Sequence, residues 1–339
     1  MAFFTPGLGD EPPPRGIFHG EIAMSNLRDA VGLCVPYGKA NSQYETEFEP
    51  ATGTIWGYFK PRGTACFSLG LLKDIRRHDS ALATNGGKVD IGGGELQTAN
   101  YYVCGSRDPQ AFNLGGDLAL FVLLIKARDR DALAHYSRLC IDNMYARIQN
   151  YQASAMTTIS LVQGDALGGG FECAMSSDVI VAEESAQLGL PEILFNLFPG
   201  MGAYSLLSRR IGARAAEELI LSGRMLPAAK LHEMGIVDVL APNGEGETAV
   251  REWIAKTWKR RNGTQAVLRA RQLVNPITRE ELDAIADVWV DAAFRLQDRD
   301  LKMMGRIVRS QMQRMEHGDV ADISAAALAE EALAVAAAR

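Results

Sequence analysis

Two glutamates stand twenty residues apart in otherwise apolar surroundings, Phe171-Glu172-Cys173-Ala174-Met175 and Leu190-Pro191-Glu192-Ile193-Leu194. Charge among such neighbours is costly unless it is paired or has a chemical task. Two carboxylates in one apolar cleft would hold their protons more tightly than usual and could serve one substrate as acid and base. The spacing is equally compatible with two satisfied glutamates that cap a helix or pair with arginine. Directly ahead of Glu172 runs Gly168-Gly169-Gly170. At a helix N-terminus, amides without β-carbons around them form a site for negative charge, although such a run also serves simply to let a helix pack closely on a sheet. Neither G-x-G-x-x-G nor G-x-x-x-x-G-K-[ST] can be laid on these glycines, and no strand leads into the separate run Gly92 to Gly94 in the way those motifs require, so a dinucleotide fold or P-loop is not indicated.

The elements that must position these residues alternate. Thr54 to Phe59, Tyr101 to Cys104, Thr157 to Val162 and Val179 to Ala182 are β-branched or aromatic runs bounded by turn residues and read as strands. Leu71 to Leu82, a segment from Leu118 and Asp131 to Gln149 carry helical spacing between them, and a short helix follows the glycines. This order predicts an α/β protein with a largely parallel sheet. From about Ala213 the pattern turns helical, over Ala213 to Leu221, Pro227 to Met234, Thr248 to Arg261, Glu280 to Leu296 and Leu301 to Met315, with a brief strand at Val237 to Leu240. The expected organisation is an N-terminal arm over residues 1–45, an α/β core over 46–260, a helical oligomerisation region over 261–320 and an Ala-rich tail over 321–339. No repeat with a period of 20 to 50 residues is present.

Composition narrows the function classes. The chain has 339 residues, 47% of them apolar, enough for a sizeable core. Its net charge of −6 argues against a protein devoted to gripping nucleic acid. The longest apolar run, Leu118 to Ile125, is far short of the roughly 20 residues a membrane-spanning helix needs. The first fifteen residues carry Asp10, Glu11 and the triplet Pro12-Pro13-Pro14 where a secretory signal would be basic and then apolar. Five scattered cysteines without Cys-x-x-Cys, and five histidines without ligand spacing, predict neither a disulfide framework nor a metal site and fit the cytoplasm.

The strings GDALGGGFE (Gly164 to Glu172), LPE (Leu190 to Glu192) and AFNLGGDLALF (Ala111 to Phe121) occur in this order over a span from about Thr54 to Leu240. They resemble the crotonase superfamily, also called the enoyl-CoA hydratase/isomerase family. Within it, Leu190 to Arg224 and FNLGGDLALF are most similar to the synthases of the cis-2-unsaturated fatty acid known as diffusible signal factor. The resemblance implies a ββα spiral core followed by a C-terminal helical region, assembled as a trimer or a dimer of trimers. It implies that a thioester carbonyl oxygen is held by the backbone N–H groups of Leu114 and Gly169, with Gly115, Gly168 and Gly170 lining the thioester path. Glu172 and Glu192 match the pair that hydratases use to move water across the double bond beside the thioester. The implied reaction is dehydration of a 3-hydroxyacyl-acyl carrier protein, with hydrolysis to a free 2-unsaturated acid. An ordinary enoyl-CoA hydratase is the alternative, and a scaffold or interaction protein, for instance one binding a sensor kinase, the alternative of another class. No cofactor is implied beyond the phosphopantetheine of acyl carrier protein or CoA that carries the substrate.

Relatives that use CoA have an Arg-Pro-x-x-x-Asn-Ala type segment where this chain reads Lys60-Pro61-Arg62-Gly63-Thr64-Ala65-Cys66, without the Asn. Lys60 and Arg62 are candidates to meet a phosphopantetheine phosphate or an acidic carrier surface, or are solvated side chains. Asp117 reads as a helix cap, Glu183-Glu184 as a solvated strand end, His232 as a surface histidine and Cys173 as a buried structural thiol. Phe195, Leu197, Phe198, Met201 and Tyr204 line a fatty-acyl pocket or belong to the core.

Overall fold

Strands that are buried on both faces read as near-continuous apolar runs, and the central strands of this protein follow that pattern, with buried polar exceptions such as Thr157, Thr158 and Ser160. The computed structural model describes residues 42–317 apart from Ser154. It opens with the antiparallel pair β1 (Tyr44–Glu49) and β2 (Thr54–Phe59), followed by α1 (Leu69–Thr84), the small hairpin β3 (Lys88–Asp90) and β4 (Leu96–Thr98), and β5 (Tyr101–Ser106). Next come β6 (Ala111–Asn113), α2 (Leu118–Lys126), α3 (Arg130–Ile148), β7 (Thr157–Val162), β8 (Asp165–Leu167), α4 (Gly169–Met175), β9 (Val179–Glu183) and β10 (Gln187–Gly189). The remainder is α5 (Ala203–Ile211), α6 (Ala213–Ser222), β11 (Met225–Pro227), α7 (Ala228–Glu233), β12 (Val239–Ala241), α8 (Gly246–Trp258), α9 (Arg261–Val274), α10 (Arg279–Ala293) and α11 (Asp298–His317).

The main sheet has the order β1-β2-β5-β7-β9-β12, parallel except for its β1 edge. Its side chains alternate between two cores, as a period of two requires. Trp56, Tyr58, Tyr101, Val103, Ile159, Leu161, Val179 and Val181 face α8 through Val250 and Ile254. Ile55, Phe59, Tyr102, Cys104, Val162, Ile180 and Ala182 face the larger core under α1, α3 and the carboxyl-terminal helices. A second sheet, β11-β10-β8-β6, stands beside the first and carries the turns from which the glycines emerge.

One buried cation ties these layers together. The Arg147 guanidinium on α3 donates to Ile159 O on β7 at 2.7 Å, to Ser177 Oγ after α4 at 2.8 Å and to the Tyr151 hydroxyl at 3.2 Å. Three acceptors offset its desolvation and fix the C-terminal end of α4 against the sheet. The helices α10 and α11 fold back onto α3 and α2 respectively, so they belong to the same body as the core.

The expected strands and helices lie where the patterning predicts, with ends moved by one to three residues. Four features differ. The arm ends earlier than residue 45, because Tyr44 already starts β1 and pairs with Phe59. The segment over Thr248 to Arg261 stops at Trp258, and α9 follows as a separate helix. Ala203–Ile211 is helical ahead of the predicted helical region, and the three-residue strands of the second sheet are too short for periodicity to reveal. Most of the arm and the Ala-rich tail lie outside the described residues.

Ile159 has no exposed surface. Replacing it with Ala is expected to cost about 2–5 kcal/mol, the range for truncating a buried aliphatic side chain, and to lower the urea midpoint without changing the denaturant slope.

Candidate active site

The two glycine loops approach one another backbone to backbone. After β6, the Asn113 side-chain oxygen accepts the Gly115 N–H at 2.8 Å, which turns the chain sharply, and Gly115 takes φ +93°. A β-carbon on Gly115 would lie 2.7 Å from Leu167 O and 3.1 Å from Gly169 N, and one on Gly170 would lie 1.9 Å from Asn113 O. No side chain fits between these strands of backbone, so glycine at both places is a condition of the contact. The contact brings the backbone of Gly116 up to that of Gly169, with Gly116 N 3.6 Å from the position a Gly169 β-carbon would take. The Gly169 N–H belongs to the first turn of α4, where an amide has no acceptor within its own helix.

Glu172, one turn further along α4, is 1% exposed. Its Oε1 accepts the N–H groups of Met201 at 2.8 Å and Ala203 at 2.9 Å, at the start of α5. Burial pushes its carboxyl proton affinity up, and those two amides pull part of the way back. Glu192 sits in the 3₁₀ helix Pro191–Phe195. Its Oε1 lies 2.3 Å from where a β-carbon on Gly168 would stand, and Gly168 holds φ +51°, so a glycine there makes room for the carboxyl. The Glu192 Oε2 is buried with no hydrogen-bond partner among the described residues. Its proton affinity is also raised, by burial first and by the Glu172 charge second. Among the described residues neither carboxyl has a cationic partner, so near neutral pH the pair can hold a proton and share it with a ligand.

Both glutamates open on one cavity of about 60 Å³ that is also lined by Leu114, Gly115, Gly116, Gly168 and Gly169. Phe195, Leu197 and Met201 form part of its apolar wall. Phe198 is not part of that lining, and Tyr204 is 39% exposed with its hydroxyl donated to Glu217 at 2.9 Å. Trp289, Ile307 and Gln311 close the cavity from α10 and α11. Sequence reasoning missed these three because an amphipathic helix more than a hundred residues downstream reads as core.

Leu114 needs correction as the second amide donor. Its N–H is committed to Ala65 O at 2.7 Å, while its side chain faces the cavity. The amide adjacent to Gly169 is that of Gly116, two residues later. Asp117 caps α2 through Leu120 N at 3.0 Å, as expected. Glu183 is not solvated: it is 5% exposed and accepts the N–H groups of Gly244 and Gly246, which fixes the entry to α8. Lys60 pairs with Glu45 at the surface, and neither it nor Arg62 lines the cavity. His232 binds Val237 O through Nδ1 at 2.9 Å, and Cys173 packs next to Cys104 in the larger core. Among the described residues there is no group of three side chains able to hold a metal ion and no helix long and apolar enough to cross a membrane.

Raised proton affinity at Glu192 has a stability consequence with a definite sign. Between the ordinary Glu value and the raised one the folded state binds more protons than the unfolded chain, so stability falls as pH rises through that window and stays lower above it. Glu192→Gln removes this dependence. Calorimetry is expected to show nearly equal Tm for variant and native protein at pH 4.5, and at pH 8.5 a variant more stable by about 1–3 kcal/mol, the cost of a buried unpaired polar group.

The enoyl-CoA hydratase/isomerase family model matches residues 102–304, which includes α4, both glutamates and most of the carboxyl-terminal helices. A Rhizobium meliloti protein named as a probable enoyl-CoA hydratase is 48% identical over 86 residues, 25% of this chain and 34% of that protein. The chain spans between about a seventh and a little over a third of the length of the curated relatives it matches. Among solved structures, Pseudomonas aeruginosa DspI superposes with a TM-score of 0.57 at 21% identity, covering 80% of this chain and 91% of that one. Human mitochondrial delta3-delta2-enoyl-CoA isomerase superposes with a TM-score of 0.63 at 20% identity, covering 80% and 99%. At that identity the superpositions speak for the crotonase fold, and with the family match over more than half of its length the chain belongs to the enoyl-CoA hydratase/isomerase family.

Proposed function

We propose that the protein is a hydro-lyase acting on acyl thioesters, removing water from a 3-hydroxyacyl group or adding it to a 2-enoyl group. The observation that carries this reading is the single cavity holding two uncompensated carboxyls and two adjacent backbone amides. The thioester oxygen sits on the N–H groups of Gly116 and Gly169. One carboxylate takes the α-proton, and the electron pair moves toward the carbonyl oxygen, where the amides stabilise the developing enolate by about 3–4 kcal/mol per donor. The other carboxyl, protonated, gives its proton to the β-hydroxyl as the carbon–oxygen bond breaks, releasing water and leaving the 2-enoyl thioester. A pair with raised proton affinities suits this division, because one member keeps its proton near neutral pH while the other is ionised.

Two finer points belong to the same proposal. The substrate is carried on the phosphopantetheine of acyl carrier protein, since the segment Lys60 to Cys66 lacks the Asn of CoA-using relatives. After dehydration the same pair takes a proton from a water whose oxygen bonds to the thioester carbonyl carbon; the carbon–sulfur bond breaks, the carrier sulfur receives that proton and leaves as the thiol, and the acyl group is released as the free 2-unsaturated acid. An ordinary enoyl-CoA hydratase would share the first step and lack the second.

Purified protein incubated with 3-hydroxydodecanoyl-acyl carrier protein is expected to give the dehydrated thioester and then the free acid by mass spectrometry. Hydration of crotonyl-CoA without acid release would favour the hydratase, and turnover of neither substrate would remove the proposal. Glu172→Gln and Glu192→Gln are each expected to lower kcat/KM by about 10²–10⁴-fold with the fold intact by circular dichroism. The pH profile of kcat/KM is expected to be bell-shaped, its acid limb set by ionisation of the base and its alkaline limb by loss of the acid's proton, both displaced above the ordinary Glu range.

A further inference from the structure

A second cavity lies apart from the catalytic one. A space of about 350 Å³ lies under α9, and it shares no lining residue with the site of Glu172 and Glu192. Its floor is apolar, built by Ile148, Met175, Leu206 and Ile277. Its polar walls hold four guanidinium groups, Arg209, Arg210, Arg269 and Arg271, against one carboxylate, Asp178. A helix normally seals such a space with its apolar stripe, but α9 has no buried residue, and a further void of about 190 Å³ continues beneath it past Arg269 and Gln272.

The charges do not balance. Arg209 is held on both sides by Glu281, at 2.9 and 2.8 Å. Arg210 donates to Ser177 O at 2.9 Å and lies 3.7 Å from Asp238. Arg271 reaches Asp178 only at 3.4 Å, and the other oxygen of that carboxylate is occupied by Asn150 and Thr158. Arg269 donates to the neutral Gln272 Oε1 at 3.0 Å. Four cations thus meet three carboxylates, and the surplus lies on α9 at the rim of an apolar floor.

We infer that this cavity binds an amphipathic monoanion, a medium-chain carboxylate whose head is taken by Arg269 and Arg271 and whose chain crosses Met175, Leu206 and Ile277. One surplus charge matches one carboxylate, the guanidinium fork matches carboxylate geometry, and the floor gives an alkyl chain apolar contact. The volume falls within the usual range of small-ligand sites. The site is independent of the catalytic reading. It is connected to the catalytic cavity mechanically, because α4 carries Glu172 in its first turn and Met175 at its end, about 5 Å along the axis, and α5 carries both the Ala203 amide that holds Glu172 and Leu206, Arg209 and Arg210.

Isothermal titration of the full chain with sodium decanoate, below its micelle concentration, tests the inference. Saturable one-to-one binding is expected, with acetate and decanol each at least tenfold weaker because each lacks half of the recognition. Arg269→Ala/Arg271→Ala is expected to lose at least tenfold in affinity, and Glu172→Gln to bind as the native protein does. If the double variant is not folded by circular dichroism, Arg269→Glu alone is expected to give the same loss. No saturable binding, equal binding of decanol, or full affinity in the arginine variants would overturn the assignment.

Discussion

A carboxyl oxygen of Glu192 buried without a hydrogen-bond partner, in the field of a second buried carboxyl, is the constraint to which the surrounding structure answers. Burying one such group is unfavourable and burying two side by side is more so. The fold sustains them by holding Glu172 through two backbone amides at the start of α5, and by giving Glu192 space against the β-carbon-free Gly168. Neither arrangement neutralises the carboxyls with a cation. That omission leaves them able to exchange protons with a third party, where a salt bridge would have fixed them as ions.

The same logic governs the amides opposite. Asn113 to Gly116 and Leu167 to Gly170 touch at distances that exclude side chains, and the contact is maintained by hydrogen bonds from further away: Leu114 to Ala65, Phe67 to Gly115, and Gly168 to Gly189. Each of those bonds removes one polar group from competition and leaves Gly116 and Gly169 side by side. A donor pair prepared in this way costs little reorganisation when charge develops on a bound oxygen. The hydrophobic strands behind it, packed on both faces, supply the rigidity that keeps the geometry.

How much of this was legible in the sequence depended on the range of the interaction concerned. The main strands were readable because a parallel sheet buried on both faces favours runs rich in β-branched and aromatic residues, as in Thr54 to Phe59 and, with Ser160 and Leu161 among them, Thr157 to Val162. Glu172 and Glu192 stood out because charge in an apolar run contradicts its surroundings. The Leu114 N–H is taken by the carbonyl of Ala65, a partner 49 positions upstream that local spacing cannot show, which is why Gly116 and not Leu114 is the amide proposed to act with Gly169. Glu183 looked like a solvated strand end for the same reason, since the amides of Gly244 and Gly246 reach it only after the chain returns through β12. The walls contributed by Trp289 and Ile307 were unreadable because a helical apolar stripe looks alike whether it meets core or ligand.

The central claim, that Glu172 and Glu192 share one desolvated cavity and perturb each other, is tested most directly by titrating the Glu192 carboxyl with carbon-13 NMR in the native protein and in Glu172→Gln. The account predicts a Glu192 titration above the ordinary glutamate range that moves down, toward that range, once the neighbouring charge is removed. A Glu192 that titrates as an ordinary exposed glutamate, or one unmoved by the Glu172 substitution, would contradict it.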